Sequence, residues 1–428
     1  MEPLGLKLSF LDRDISMTTT TGTKEKIELL APAGNFEKLE IAIHYGADAV
    51  YLAGKEFSLR NFSENFTVNE IRSAVKLAHG HGVKVYVACN IYARNDEQDL
   101  IADYLKTLGE IGPDAVIIAD PGIFMAASRL IGQIPIHLST QANTTNYNSV
   151  RFWENSGVHR VNAARELSLK EIKEISRRSS IEIEAFVHGA MCISYSGRCL
   201  LSSFLANRDS NLGMCAQPCR WRYALVEELR PGEYLPFAED ERGSYVFNSK
   251  DLCMIEHIPA MIAAGITSFK IEGRMKGINY LASTVKVYRE AIDAYFENPA
   301  GFRVKKKWIE ELGRISRRGY CSGFYLKDPD QTALEYESEN IAGQTFIGKV
   351  INKLKPFCAV IEVRNKVFKG DVIEVLRKKG ASVQDNIIDI YDENGRSLPF
   401  AQPGSRVTVL LNGDYDCNDL IRRVETDA

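Results

Sequence analysis

Between Ile27 and Arg274 the chain alternates short apolar runs with amphipathic stretches. The runs are IELLAPAG, DAVYLAG, VKVYVACN, DAVIIAD, PIHLSTQAN, HRVNAARE, IEIEAFVHG and ITSFKIEGR. Each is β-branched and aliphatic and ends in Gly or a polar residue, the pattern of a strand buried on both faces. Helix candidates lie between them. One opens at Thr67, where Thr67 and Glu70 have the spacing of a capping box. Others are DLIADYLKTLGEI, VRFWENSG, SLKEIKEISRR and MIEHIPAMIAAG. Strands joined by such helices pair in parallel through right-handed crossovers. Eight units predict a TIM-barrel-like α/β fold rather than an open doubly wound sheet. No G-x-G-x-x-G follows the first run, which argues against a dinucleotide site. YVFNSKD, residues 245–251, reads as a ninth strand, so one of the nine must lie outside a closed barrel.

Residues 278–297 predict a long helix that closes this domain. A basic stretch, FRVKKKWIEELGRISRRGY, follows, with Phe302, Trp308 and Tyr320 interleaved among Arg303, Lys305, Lys306, Lys307, Arg314, Arg317 and Arg318. That combination suits a nucleic-acid backbone and its bases. It also suits a solvated helix face with Trp308 packed beneath. From Gly343 the period changes to two, with turns at Lys369-Gly370-Asp371 and Pro403-Gly404, which predicts a small antiparallel β-barrel. The expected organisation is therefore a lead-in over 1–25, a barrel over 26–300 with an insertion at about 189–255, a helical connector over 301–340 and the β-barrel over 341–428. Met17 is a second candidate start.

Composition adds exclusions. Hydrophobic residues make up 45% and charged residues 25%, as in a soluble globular protein. A net charge of −3 gives no global attraction to nucleic acid, so binding would need a local patch. There is no apolar run of membrane-spanning length and no secretory signal pattern at MEPLGLKLSF, so a cytoplasmic protein without a membrane partner is expected.

The chemistry gathers in two places. In a barrel the strand ends build the site. The polar residues there are Asn90, Asp120, Gln141, Asn162, Arg165, Glu166, His188, Lys250, Lys270, Glu272 and Arg274. Arg165, Lys270 and Arg274 suit a carboxylate ligand, because cationic forks match carboxylates. Gln141 and Asn90 join them as substrate-binding candidates. Glu272 and His188 are candidates to move protons, and Lys270 is grouped with them as catalytic. Barrel-end Arg/Glu pairs are also often plain ion pairs.

The second place is a thiol cluster. Cys192, Cys199, Cys215 and Cys219 fall within one short stretch of a chain with nine cysteines, and Cys253 follows. Only Cys215/Cys219 has zinc-knuckle spacing, whereas iron–sulfur clusters take four thiolates at irregular spacing. Gly189, Gly197 and Gly213 would allow close backbone approach, and Arg198, Arg208 and Arg220 would offset thiolate charge. Cys89, Cys358 and Cys417 read as buried structural thiols.

FVHGAMCISYSGRCLLSSFLANRDSNLGMCAQPCRW, with APAG, STQAN, NAARE, NSKDL and FKIEGRMK, resembles the collagenase-like peptidase family, the unknown-type peptidase family thirty-two. The resemblance runs from about residue 27 to 340 and extends to the terminal β-barrel. It implies an oxygen-independent hydroxylase with a 4Fe–4S cluster, most closely the branch that turns the tRNA wobble uridine into 5-hydroxyuridine. In that branch tRNA is the partner and prephenate, a small carboxylate, is the implied hydroxyl donor. Cys192, Cys199 and Cys215 match ligand positions. RNA-modifying relatives point to Cys219 as the fourth ligand, and a ubiquinone-branch relative points to Cys253. The alternatives are 23S ribosomal RNA or a quinone precursor as substrate, or the proteolysis of the family name. No H-E-x-x-H or G-x-S-x-G occurs, so zincin and α/β-hydrolase mechanisms are excluded. A cluster-bearing RNA-binding scaffold without catalysis is the third alternative.

Overall fold

The computed structural model describes residues 26–55, 57, 65–191, 199–206, 208, 215–216, 218, 239–240, 243–244, 250–316, 319–326 and 345–423. Residues 1–25, most of the ninth apolar run, Cys192, Cys219, Gly197, Gly213, Arg198, Arg220, Arg317 and Arg318 lie outside them.

The eight apolar runs form β1 (Glu28–Pro32), β2 (Ala49–Ala53), β3 (Lys84–Cys89), β4 (Ala115–Ile118), β5 (Ile136–Leu138), β6 (Arg160–Asn162), β7 (Glu182–Ala190) and, further along, β11 (Ser268–Ile271). All pair in parallel, and β11 closes the ring by pairing with both β1 and β7. The fold is a TIM-like barrel. The helices on its outside are α1 (Phe36–Tyr45), α2 (Val68–Gly80), α3 (Gln98–Ile111), α4 (Pro121–Leu130), α5 (Tyr147–Asn155) and α6 (Leu169–Arg178). The Thr67–Glu70 capping box forms, with Thr67 N donating to Glu70 Oε2 at 2.7 Å. Asp120 acts as a cap: its Oδ1 accepts from Ile123 N at 2.9 Å at the start of α4.

Strand β7 runs past the ring. Its last residues pair with β10 (Asp251–Cys253), which is antiparallel to it and outside the barrel. The insertion between them contains α7 (Leu201–Ala206) and a short hairpin of β8 (Glu239–Asp240) and β9 (Gly243–Ser244). The stretch expected as one helix after Cys253 instead divides into a 3₁₀ turn and α8 (Ile258–Ala263), with Pro259 in its first turn. Proline there lacks an amide but needs none at a helix start. Then come α9 (Ile278–Glu297), α10 (Lys306–Ile315) and β12 (Tyr320–Cys321), which pairs with β10.

The C-terminal domain is a curled antiparallel sheet of eight strands. In chain order they are β13 (Thr345–Lys355), β14 (Cys358–Val363), β16 (Val372–Leu376), β17 (Val383–Asn386), β18 (Asp389–Tyr391), β19 (Ser397–Leu398), β21 (Arg406–Leu410) and β22 (Leu420–Arg423). Strands β15 (Val367–Phe368) and β20 (Phe400–Ala401) form a separate pair. The sheet docks on α1, α9 and α10. Arg422 is fully buried there and donates to Glu311 Oε1 and Asn279 Oδ1, each at 2.7 Å. Lys286 Nζ donates to the carbonyls of Arg377 and Gly380, and Tyr45 donates to that of Leu376. Leu376 and Leu420 complete the barrel's apolar core. No described helix is long and apolar enough to cross a membrane.

Candidate active site in the barrel mouth

Alternation along each strand divides the barrel lumen in two. On the β1–β4 side the inward residues are apolar or aromatic: Leu30, Ala49, Tyr51, Tyr86, Ala88 and Ile117. On the side of β5–β7 and β11 they are polar. At the N-terminal end, Arg160 donates to Glu28 and Glu182, and Tyr86 and Ser268 also donate to Glu28. Burial alone would raise the Glu28 carboxyl, but the Arg160 charge and these hydrogen bonds outweigh it and hold its pKa below the usual range. His137 is kept neutral by burial, reinforced by Arg160 and Lys270.

One layer higher, Glu184 Oε1 accepts from Lys270 Nζ at 2.7 Å and from Asn162 Nδ2 at 2.8 Å. Lys270 also lies over the Tyr51 ring, 4.5 Å from its centroid. At the mouth, Phe186 joins the set. The Arg165 guanidinium sits 4.0 Å over its ring and Lys270 lies 5.6 Å from it. Arg165 Nη2 is 3.5 Å from Glu272 Oε2. Ser268 and Lys270 on β11, with Glu272 just past its end, recur at every second residue, as do Glu182, Glu184 and Phe186 on β7. Thus Arg165, Lys270 and Glu272 are brought together. Asn90 and Gln141 form a second pair, with Nδ2 to Oε1 at 2.7 Å. Arg274 donates to Asn65 Oδ1 beside the end of β1. Among the described residues Asn90 Oδ1, Asn162 Oδ1 and Glu166 Oε2 are buried without a hydrogen-bond partner. Buried polar atoms of this kind are rare unless water or a ligand completes them.

His188 does not join this group. The pairing of β7 with β11 shifts by one residue between Lys270/Phe186 and Ile271/His188. His188 therefore faces outward, among Tyr280, Tyr288 and Tyr320, with ring centroids 5.2–5.8 Å away. Burial, helped by Lys276, pushes its pKa down to about 3. Gly189 makes the shift possible: its φ is +107°, and a Cβ there would lie 2.5 Å from the Glu272 carbonyl oxygen. Lys250 stands just before β10, outside the barrel.

Of the described thiols, Cys253 lies on β10, outside the barrel ring. Cys253 pairs with His188 across the β7–β10 ladder, and burial raises its thiol to about 11. Cys199 and Cys215 approach one helix. Cys199 precedes α7, and the amide of Ala216, next to Cys215, donates to Ser202 Oγ at 2.9 Å. Arg208 N closes the other end of α7 onto the Ser202 carbonyl. Cys199 and Cys215 thus both neighbour α7, and among the described residues no group of three or more His, Cys, Asp or Glu side chains is placed to hold a metal ion. Cys321, which sequence reasoning passed over, sits opposite Leu252 and near enough to influence Cys253. Only the β10–β12 pairing reveals it.

The geometry defines a class: a parallel (β/α)₈ barrel with a charged lumen, a thiol-bearing insertion after its seventh strand and an antiparallel C-terminal sheet. The chain belongs to peptidase family U32, whose model matches residues 34–335, and the model of that family's C-terminal domain matches residues 342–422. It is 43% identical over 380 residues to tRNA hydroxylation protein P1 of Bacillus subtilis, covering 88% of this chain and 90% of the relative. Identity to tRNA hydroxylation protein P of Escherichia coli is 37% over 428 residues, covering 90% and 93%. Identity to a protein named Collagenase from Porphyromonas gingivalis is 32% over 413 residues, covering 93% and 98%.

Proposed function

We propose that this protein is a tRNA hydroxylase that forms 5-hydroxyuridine at the wobble position without molecular oxygen, taking the hydroxyl group from a prephenate-like carboxylate. The observation that carries the reading is the mouth itself, where Arg165 and Lys270 flank Phe186 beside Glu272. A guanidinium fork and an ammonium, both buried, suit a small carboxylate and exclude water around it. The ring of Phe186 gives the donor a flat apolar floor. Glu272, at the rim, is the group assigned to move a proton, with Lys270 holding charge beneath it. Asn90, Gln141 and Arg274 line the rest of the entrance. His188 acts from behind the strand by fixing its end. The likeness to two proteins named for tRNA hydroxylation supports tRNA as substrate.

A 4Fe–4S cluster held by Cys192, Cys199, Cys215 and either Cys219 or Cys253 would supply electron-transfer chemistry. Anaerobically purified protein should contain iron and sulfide at about four each per chain. Zinc alone, in protein never exposed to air, contradicts this. Comparing Cys219→Ser with Cys253→Ser identifies the fourth ligand, since only the ligand's loss depletes iron. In a deletion strain the 5-hydroxyuridine-derived nucleosides should vanish from digested tRNA. Wild-type protein should restore them, and Lys270→Ala or Cys199→Ser should not. An unchanged profile in a strain with no second copy refutes the reading. The likeness to a protein named Collagenase supports a peptidase as the second reading. Its test is release of peptides from gelatin by the purified protein.

A further inference from the structure

The antiparallel pair β15–β20 follows the alternation of any strand pair. Val367 and Ala401 point into the C-terminal core and are buried. Their neighbours Phe368 and Phe400 therefore point out, 41% and 36% exposed, with ring centroids 5.9 Å apart. Lys366 Nζ lies 4.8 Å from one centroid and 4.1 Å from the other, and makes no salt bridge to a described residue. Arg423 reaches one of these rings, 5.9 Å from the Phe368 centroid, while its Nη2 donates to the Lys366 carbonyl. Asp371, the nearby carboxylate, is taken by Arg423 and by the amide of Phe368. Exposed Val372 and Ile388 adjoin Asp371 and Ile387, which a backbone hydrogen bond joins just beyond the pair. An exposed aromatic pair is unusual on a soluble surface, and flanking cations make it suited to stacking bases while meeting phosphates.

Charge and place point the same way. Residues 345–423 contain 13 Lys and Arg against 10 Asp and Glu, a net +3 within a chain of net −3. Two anchors set the patch at the mouth end of the barrel. Arg364, two residues before Lys366, donates to Glu37 in the first turn of α1 at 2.7 Å. Arg422, beside Arg423, donates to Asn279 in the first turn of α9. Both helices start where a barrel strand has just ended, so these anchors lie on the side where barrel sites open.

We propose that Phe368, Phe400 and Lys366 form a stacking site for unpaired nucleotides of the RNA whose target base enters the barrel mouth. This rests on the RNA-modifying reading above. The patch would hold a single-stranded segment next to the reacting base, by ring stacking and one phosphate contact, without reading its sequence.

The test uses full-length protein, unfractionated tRNA and a short labelled oligouridine, with binding followed by fluorescence anisotropy over a salt series. Phe368→Leu/Phe400→Leu keeps the apolar surface and removes the rings. It should bind both probes about tenfold more weakly or worse, with an unchanged salt slope. Lys366→Ala should flatten the slope of log K against log salt by about 0.7, the single-strand value for one phosphate. Thermal melts of both variants should match wild type, because the rings are exposed and Lys366 makes no salt bridge to a described residue. Leucine variants that bind like wild type overturn the patch. So does a wild-type dimer in sedimentation that the leucine variant turns into monomer, since the rings would then serve a second copy of the chain. Wild-type protein that binds neither probe overturns the RNA reading beneath it. Loss of patch binding alone leaves the nucleoside profile of the wild-type strain intact, so the two failures are distinguishable.

Discussion

Two regions of this chain interleave aromatic and basic residues, and the structure uses them oppositely. In the stretch around α10, Trp308 is buried, its indole donates to Glu290 at 2.9 Å and it stacks on Phe302. Tyr320 donates to the Leu312 carbonyl and faces His188. Three of the described cations there meet carboxylates: Lys306 with Glu310, Lys307 with Glu290, and Arg314 with Glu311 and Glu374, while Lys305 lies over the Trp308 ring and Arg303 donates to the Phe302 carbonyl. Around β15–β20 the rings are exposed and Lys366 sits on them. The first region is interface between the barrel and the C-terminal sheet, and the second is open surface. Composition alone therefore does not locate a nucleic-acid surface. What decides is whether carboxylates from other elements, here Glu290 and Glu374, arrive to neutralise the cations.

The largest effect that sharpens this contrast is on stability. Trp308→Ala should cost about 3–5 kcal/mol, as for other large buried aromatics, read as a shift in denaturant midpoint. RNA affinity of the folded protein should not change. Loss of affinity with stability intact would break the contrast. A smaller effect comes from the imidazole that Tyr320 helps enclose. The folded His188 pKa is about 3 against 6.5 for an ordinary imidazole. The unfolded chain thus takes up a proton that the folded one refuses. Stability is full above about pH 6.5 and falls as pH drops, by about 2 kcal/mol between pH 6.5 and 5. Urea midpoints at the two pH values should show this, and His188→Asn should remove that share of the pH dependence. Equal pH dependence in the variant would mean that the tyrosine cage admits the imidazolium. The smallest effect belongs to Lys305→Glu/Lys306→Glu/Lys307→Glu. Its RNA affinity and salt slope should stay close to wild type, and its stability should fall by about 1 kcal/mol or less, because exposed ion pairs contribute little. Weakened binding with a flatter salt dependence would return the RNA to α10.

The barrel was legible because its strands are short, apolar and evenly spaced; the ninth run, 245–251, falls mostly outside the described residues, and β10, outside the ring, starts at its last residue. The C-terminal sheet was legible from its period of two. The strand-end set was legible in part. Arg165, Lys270 and Glu272 follow from position, but His188 does not, because a single shift of pairing turns its side chain to the opposite face. That shift depends on a contact between Gly189 and the Glu272 carbonyl, made between distant segments. Asp120 illustrates a different limit, since a polar residue at a strand end also stands where the next helix needs a cap. Part of the polar half of the lumen was hidden inside runs that look aliphatic, where Glu182 and Glu184 stand among Ile, Ala and Phe. The partners of Glu184, which are Lys270 and Asn162, come from the two neighbouring strands, β11 and β6. For the proposed cluster, the fourth ligand stayed open in the sequence because the chain carries both Cys219 and Cys253, and the resembled family points to each.

The most direct test places a benzophenone-bearing side chain at Phe400 and, separately, at Lys306, and irradiates each protein with labelled tRNA. The contrast between the two regions predicts a tRNA crosslink from position 400, competed away by unlabelled tRNA, and none above background from position 306. Crosslinking from position 306 with none from position 400 would contradict it.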